Sequence, residues 1–252
     1  MTALPESIGE LNSLTKLDLE FNNLESLPSS FGGLSGLQEL FLGSNRIPSI
    51  PNSFGNLKLL NHLDLSSNTI TTLPDGIGSF DQLYYLDLQK NSLKELPNSF
   101  GSLTQMKSLY INENPITSLP ESFGNLKMLR GLNLSYMSLK MLPESFGSLT
   151  LLTSLELDHN NLVSFPESFW KLKLSDLSVS NNNLIDISVN IKSLSGLSML
   201  DVSHNMLSEL PDVFDELNSL SIDKLIYRHN SLTSVPESFK RWFDGAYPSK
   251  DL

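Results

Sequence analysis

The stretch Leu83-Tyr84-Tyr85-Leu86-Asp87-Leu88-Gln89-Lys90-Asn91-Ser92-Leu93, running on through Leu96-Pro97-Asn98-Ser99-Phe100-Gly101-Ser102-Leu103, decides the fold. Its first part alternates, so Leu86 and Leu88 point to one side of a short extended segment and Asp87 and Gln89 to the other. The apolar side must be buried, and a segment this short cannot enclose it alone. Repetition supplies the cover. Asn91 recurs as Asn22, Asn45, Asn68 and Asn114 at steps of 23 residues; Met137 and Asn160 keep the step, and Asn182, Asn205 and Asn230 follow at 22, 23 and 25. Ten copies of LxxLxLxxNxL, most followed by xxLPxSFGxL, account for nearly the whole chain, from Leu4 to about Trp242. Stacked coils set parallel strands about 4.8 Å apart, with a core shared between neighbours.

Three columns of this pattern carry structural expectations. The Asn closing each strand has a carboxamide that donates and accepts, so stacked Asn side chains form a ladder satisfying backbone groups where the chain turns inward. Met137 breaks the ladder. The pattern predicts unsatisfied or water-bridged backbone groups there, and a gain of about 1 kcal/mol on Met137→Asn. Nine residues after each rung stand Phe31, Phe54, Ile77, Phe100, Phe123, Phe146, Phe169, Ile191, Phe214 and Phe239, a spine inside the convex layer. The glycines after it (Gly32, Gly55, Gly78, Gly101, Gly124, Gly147) suggest a positive φ ending a helical turn begun by Pro-x-Ser.

Ten in-phase copies identify the chain as resembling the leucine-rich-repeat proteins. The LPxSFGxL variety is similar to the repeats of Ras-group and Scribble/Erbin-type intracellular proteins and of some bacterial effectors delivered into host cells. The resemblance implies an α/β solenoid: a right-handed horseshoe with short parallel strands on the concave face, short helical or 3-10 turns on the convex face, and protein partners bound by the strands. One leucine-rich-repeat domain over 1–252 is expected. It comprises a partial N-terminal repeat (1–13), ten strand-bearing repeats (14–230) and a C-terminal cap (231–252), in which Trp242, with Phe243 and Tyr247 nearby, takes over the last core positions beneath Lys240, Arg241, Asp244 and Lys250. Leu4 to Leu11 matches the second half of a repeat, as either a half-coil cap or the start of a piece of a longer protein.

Composition narrows the function. The chain has 252 residues, 17 Lys+Arg against 28 Asp+Glu and a net charge of −11, which disfavours nucleic acid as a partner. No apolar run is long enough to span a membrane and Met1 to Glu10 has no signal-peptide character. With no Cys there are no disulfides, thiolate zinc sites or cysteine nucleophiles, which suits a reducing compartment and a cytoplasmic location, host cytoplasm for an effector. P-loop, HExxH and GxSxG motifs are absent and identical coils offer no deep pocket, so no enzyme is expected and no cofactor. Two irregularities stand out. Trp170 replaces the convex Gly and Ile187-Ser188 replaces Leu-Pro, read as drift in a tolerant repeat in preference to a convex landing site.

Partner-facing residues are the variable positions x3, x5, x7 and x8 of LxxLxLxxN. Ten of these forty are Asp or Glu and four are Lys or Arg, giving the face −6 of the total −11 and favouring a basic segment as ligand. Exposed aromatics sharpen the choice, because interface hot spots are rich in Tyr and Trp. The predicted contact centre is Tyr85, Asp87, Tyr110 and Tyr136, flanked by Phe41, Asp64, Glu156 and Asp158. Asp at x5 has a competing reading as a solubilising residue, and the aromatics as cross-strand stabilisers. His62, His159, His204 and His229 all fall on the face. His204, His229 and Asp201 make a weak metal set, so solvated histidines and no metal are expected. A monomer binding one protein partner is the reading, as an intracellular adaptor or signalling scaffold. The alternative is a substrate-recognition arm of a larger protein such as a bacterial effector.

Overall fold

The computed structural model describes residues 1–246. Ten strands form one parallel sheet in chain order: β1 (Lys16–Asp18), β2 (Glu39–Phe41), β3 (His62–Asp64), β4 (Tyr85–Asp87), β5 (Ser108–Tyr110), β6 (Gly131–Asn133), β7 (Ser154–Glu156), β8 (Asp176–Ser178), β9 (Met199–Asp201) and β10 (Leu225–Ile226). The central leucine of each strand pairs with that of the next, from Leu17 with Leu40 to Leu200 with Leu225. Register therefore survives the coils of unequal length. The extra residues before β10 coil into a 3-10 turn at Ile222–Lys224, which takes Lys224 out of the strand.

Each strand is matched across the core by a short 3-10 turn, such as Asn98–Ser102. Pro97 opens that turn at φ −67°, and the Phe100 N–H closes it on the Pro97 carbonyl at 2.9 Å. Proline has no amide proton to leave unpaired at this position. Nor has it a capping side chain, and in several coils the preceding coil supplies one. The Ser30 N–H donates to the Glu6 carboxylate at 3.0 Å, Ser145 to Glu121 at 3.1 Å and Ser238 to Asp212 at 2.8 Å. Where Ser188 stands in place of Pro, its own hydroxyl accepts the Asn190 N–H at 3.1 Å. That substitution exchanges one cap for another.

The asparagine ladder is present. Asn68 is representative: its Oδ1 accepts the Ile47 N–H at 3.0 Å, and its Nδ2 donates to the carbonyls of Leu42 in the coil before (2.9 Å) and Leu65 in its own coil (3.1 Å). At Met137 the expectation of an orphaned amide is corrected. The Ile116 N–H that would meet this rung turns back to the Asn114 carbonyl at 2.9 Å around Pro115, and the Met137 side chain is buried.

The phenylalanine spine is buried throughout. Phe31 stacks on Phe54 at 5.2 Å, and Phe100, Phe123, Phe146 and Phe169 follow one another at 6.3, 6.1 and 6.4 Å between centroids. The glycines beside it do not have the expected backbone, because no glycine among the described residues has positive φ. Their cause is contact. A Cβ on Gly101 would sit 2.2 Å from the Ser122 carbonyl oxygen of the next coil, and on Gly147 2.1 Å from that of Ser168. Trp170 fits because its own turn, Glu167–Lys171, packs less closely against the next one, Val189–Ser193, and its indole lies edge-on to Phe165 and Phe169. With Trp170 and Ile187 both buried, neither offers a convex landing site.

At the C-terminal end, α1 (Glu237–Ala246) lays Phe239 and Trp242 against Phe214, at 5.2 and 5.8 Å between centroids. Arg241 pairs with Asp215 at 2.6 Å. Phe243 beside it is 45% exposed and stacks on Phe239 at 6.4 Å. Tyr247 and Lys250 lie outside the described residues.

Candidate functional site

The strand face begins with a structural device that a charge count does not see. As each strand ends, the N–H two residues beyond x5 loses its sheet partner, and an Asp or Asn at x5 takes it. Asp64 accepts from Ser66 at 2.8 Å, Asp87 from Gln89 at 2.9 Å, Asn133 from Ser135 at 2.8 Å and Asp201 from Ser203 at 2.9 Å. Ser178 at x5 has no carboxylate, and Asp158 reaches across from the coil before to accept the Ser180 N–H at 2.8 Å and the Ser178 hydroxyl. Part of the acidity of this face is therefore structural.

The x8 column also differs from expectation. Phe21, Ser44, Ser67, Lys90, Glu113, Tyr136, His159, Asn181, His204 and His229 all lie in the left-handed region, with φ between 53° and 59°. Their side chains leave from the bend after the strand. Tyr136 is thus on the rim, 56% exposed and stacked on His159 at 4.3 Å. His204 and His229 stack likewise at 4.2 Å, and among the described residues no three metal-ligating side chains converge.

On the strands themselves, aromatic rings form a continuous run. The Lys16 ammonium lies 4.7 Å over Phe41, Phe41 meets His62 at 4.9 Å, His62 stacks on Tyr85 at 4.0 Å, and Tyr85 touches Tyr110 at 5.6 Å. This run crosses β1 to β5 and draws on both columns, with Lys16, His62 and Tyr85 at x3 and Phe41 and Tyr110 at x5. His62, read from sequence as merely solvated, is its connecting ring, and the signal was its place one strand from both Phe41 and Tyr85. Asp87, predicted as a contact residue, is 5% exposed and held on both carboxylate oxygens by Gln89.

Beyond Tyr110 the face falls away. Ser108, Gly131 and Ser154 occupy x3 on β5, β6 and β7 and leave a hollow of about 660 Å³, walled by Tyr110, Asn133 and Glu156 and edged by Lys107 and Arg130. A smaller hollow of about 390 Å³ adjoins it, lined by Asn133, Ser135, Tyr136, Glu156 and Asp158 among others. The structure thus gathers Tyr110, Tyr136, Glu156 and Asp158 around one centre. Phe41 and Asp64 stand apart, toward the other end of the aromatic run. The hollow escaped a reading that looked for large side chains; its trace in the sequence was three small x3 residues in succession.

Electrostatics follow from the enclosure. Burial pushes Asp87 up to about 6, a rise opposed by the Gln89 hydrogen bonds and assisted by Asp64. Tyr85 is pushed up to about 12, chiefly by burial and then by Asp87, Tyr110 and Asp64. Burial and then Asp158 raise Glu156, and burial followed by Asp64 and Asp18 raises Glu20. Among the described residues, Glu20, Asp87 and Glu156 form no ion pair. In the sequon Asn133-Leu134-Ser135, Asn133 donates its Nδ2 to Glu156 at 2.7 Å and its Oδ1 accepts the Ser135 N–H at 2.8 Å.

Comparison with known proteins agrees with this architecture. Family descriptions for leucine-rich repeats match residues 12–70, 52–135 (a leucine-rich repeat region) and 151–172, together more than half of the chain. No curated protein matches significantly. Among solved structures, the chain is similar to a leucine-rich-repeat protein of Leptospira interrogans, at 27% identity and TM-score 0.68 over 96% of this chain and 73% of that one. It is similar to PEPR1 in the PEPR1–AtPEP1 structure at 30% identity and TM-score 0.82, over 95% of this chain and 35% of that one. The plant peptide hormone receptor RGFR1, in complex with RGF2, matches at 26% identity and TM-score 0.72, over 96% and 48%. The chain thus spans less than half the length of these two chains. No helix among the described residues is long and apolar enough to cross a membrane. Leucine-rich-repeat domains are in general protein-interaction modules and their fold is a non-enzymatic one, as the partner-bound structures among these neighbours illustrate. The repeat, the ladder, the ten-stranded sheet and these matches agree that the chain is a leucine-rich-repeat protein.

Proposed function

We propose that this protein binds an extended, basic segment of a protein partner along its strand face, between the aromatic run and the hollow at β5 to β7. The observation that carries the reading is the aromatic run ending at Tyr110, near Glu156 and Asp158, which form no ion pair among the described residues. Such rings fill no core, and partly exposed rings beside unneutralised carboxylates suit aliphatic and cationic side chains. Tyr85, Tyr110 and Tyr136 supply contact area, while Glu156 and Asp158 supply charge.

The role that fits is an adaptor or signalling scaffold of the Ras-group type, acting as a monomer in the cytoplasm. A second reading, a recognition arm of a larger protein, is favoured by the 35% and 48% of the PEPR1 and RGFR1 chains that this chain spans. A randomised twelve-residue peptide library displayed on phage and selected on the wild-type protein tests the face. Enriched peptides should be basic, and Tyr85→Ala/Tyr110→Ala should weaken them by at least about tenfold, the scale of a hot-spot loss. Affinity should fall as salt is raised through the range where the Debye length shrinks from about 10 Å to about 3 Å. Acidic or uncharged binders, indifferent to both changes, would overturn the reading.

A further inference from the structure

The fold does not require glycine at position 131. The convex glycines are forced by the next coil, whereas a Cβ on Gly131 meets nothing within 4 Å and its φ is not left-handed. Glycine also weakens a strand interior. What it leaves is room. The space opens between the exposed ring of Tyr110 and the carboxylate of Glu156. Glu156 uses Oε2 to accept from Asn133 at 2.7 Å, and its Oε1 receives no hydrogen bond among the described residues.

Building on the reading above, we propose that the hollow over Gly131 is an arginine pocket. The partner's side chain lies across Gly131, its guanidinium resting on the Tyr110 ring and donating to Glu156. Arginine fits better than lysine because a planar, weakly hydrated fork can stack on a ring and pair with a carboxylate at once. Asp158, beside Glu156 in the adjoining hollow, adds negative potential at that end. Lys107 and Arg130 edge the opposite end and repel a cation, so the guanidinium is directed toward the ends of the strands. Fixed charges of opposite sign thus set the direction in which the segment lies.

The probe is the set of phage-selected peptides, remade synthetically. They should share an arginine, whose change to lysine weakens binding about fivefold and to citrulline at least about thirtyfold, in line with loss of stacking and of the charge-assisted pair. Gly131→Leu fills the hollow and should abolish binding while leaving the melting temperature unchanged or raised. Glu156→Gln should cost about tenfold and needs no change of shape. Peptides without a common arginine, or full binding by both variants, would overturn the pocket. If those variants bind normally while Tyr85→Ala/Tyr110→Ala does not, the pocket falls and the face reading stands. Binding that survives every substitution, or a selection that yields no peptide, counts against both.

Discussion

Two columns of the coil exchange the roles that residue type alone assigns them. The convex column is glycine, yet its backbone is ordinary; the x8 column holds Phe, Lys, Glu, Tyr and His, yet every member has φ above 50°. In the first, the residue is chosen by what the neighbouring coil places against it, a carbonyl oxygen 2.2 Å from a would-be Cβ on Gly32, Gly101 or Gly124. In the second, the same bend recurs in every coil, at Tyr136 before Met137 as at the positions before an Asn, so it follows from the path between strand and rung position and not from the residue. A solenoid therefore specifies its residues through contacts between coils as much as through local preference.

The largest effect tests the contact side. Gly101→Ala should destabilise by about 3 kcal/mol, the upper range of overpacking. Its Cβ would strike the backbone of Ser122, which cannot swing aside. Gly55→Ala is the matched control. There the next coil carries Gly76, the nearest atom is 3.1 Å away, and the cost should stay under about 1 kcal/mol. Equal losses in thermal or urea unfolding would mean that conformation, not contact, selects these glycines.

The bend side has two supports that can be altered separately. Asp87 caps the Gln89 N–H just before the left-handed Lys90, and burial lifts its ionisation from the ordinary 3.8 to about 6. A carboxyl that holds its proton more tightly in the folded state makes stability fall as pH rises between those values. Asp87→Asn keeps an acceptor for Gln89, so it should flatten that slope and stabilise at pH 7 on the order of 1 kcal/mol. Unfolding midpoints from pH 4 to pH 7 decide it; an unaltered slope in the variant would assign the titration elsewhere. Met137→Asn adds the missing rung. Because Ile116 already bonds to Asn114, and methionine burial is lost, the gain falls from the full worth of a hydrogen bond to about 0.5 kcal/mol.

The particular residues show why the fold was plain in the sequence and the site only partly so. Leucine alternation and the Asn step recur ten times, and each copy repeats the same physical demand, so strands, ladder and spine follow together. The site is where copies differ, and a difference has no repetition to average over. Tyr110, Tyr136, Glu156 and Asp158 could be proposed from the sequence because large or charged groups outside a core ask for a reason. Gly131, Ser108 and Ser154 were not, because their contribution is absence of volume. Asp87 was misplaced for a third reason. Its column label says strand face, but its depth depends on the neighbouring Tyr85 and Gln89, which spacing alone does not weigh.

The smallest prediction bears most directly on the comparison between the columns. If the x8 conformation is imposed on residues that resist it, Ser44→Gly should relieve the strain, since a non-glycine residue in the left-handed region costs about 1 kcal/mol or more. Glycine also widens the unfolded ensemble, which returns about 0.4 to 1 kcal/mol of that gain. The net stabilisation is then about 0.5 kcal/mol, readable as a small upward shift of the urea midpoint at unchanged slope. Ser44 suits the test because its N–H bonds to the Ser66 carbonyl at 2.9 Å through the backbone and survives the change. A loss of stability would mean that the bend is comfortable for side chains, and that the path between strand and rung stores no strain.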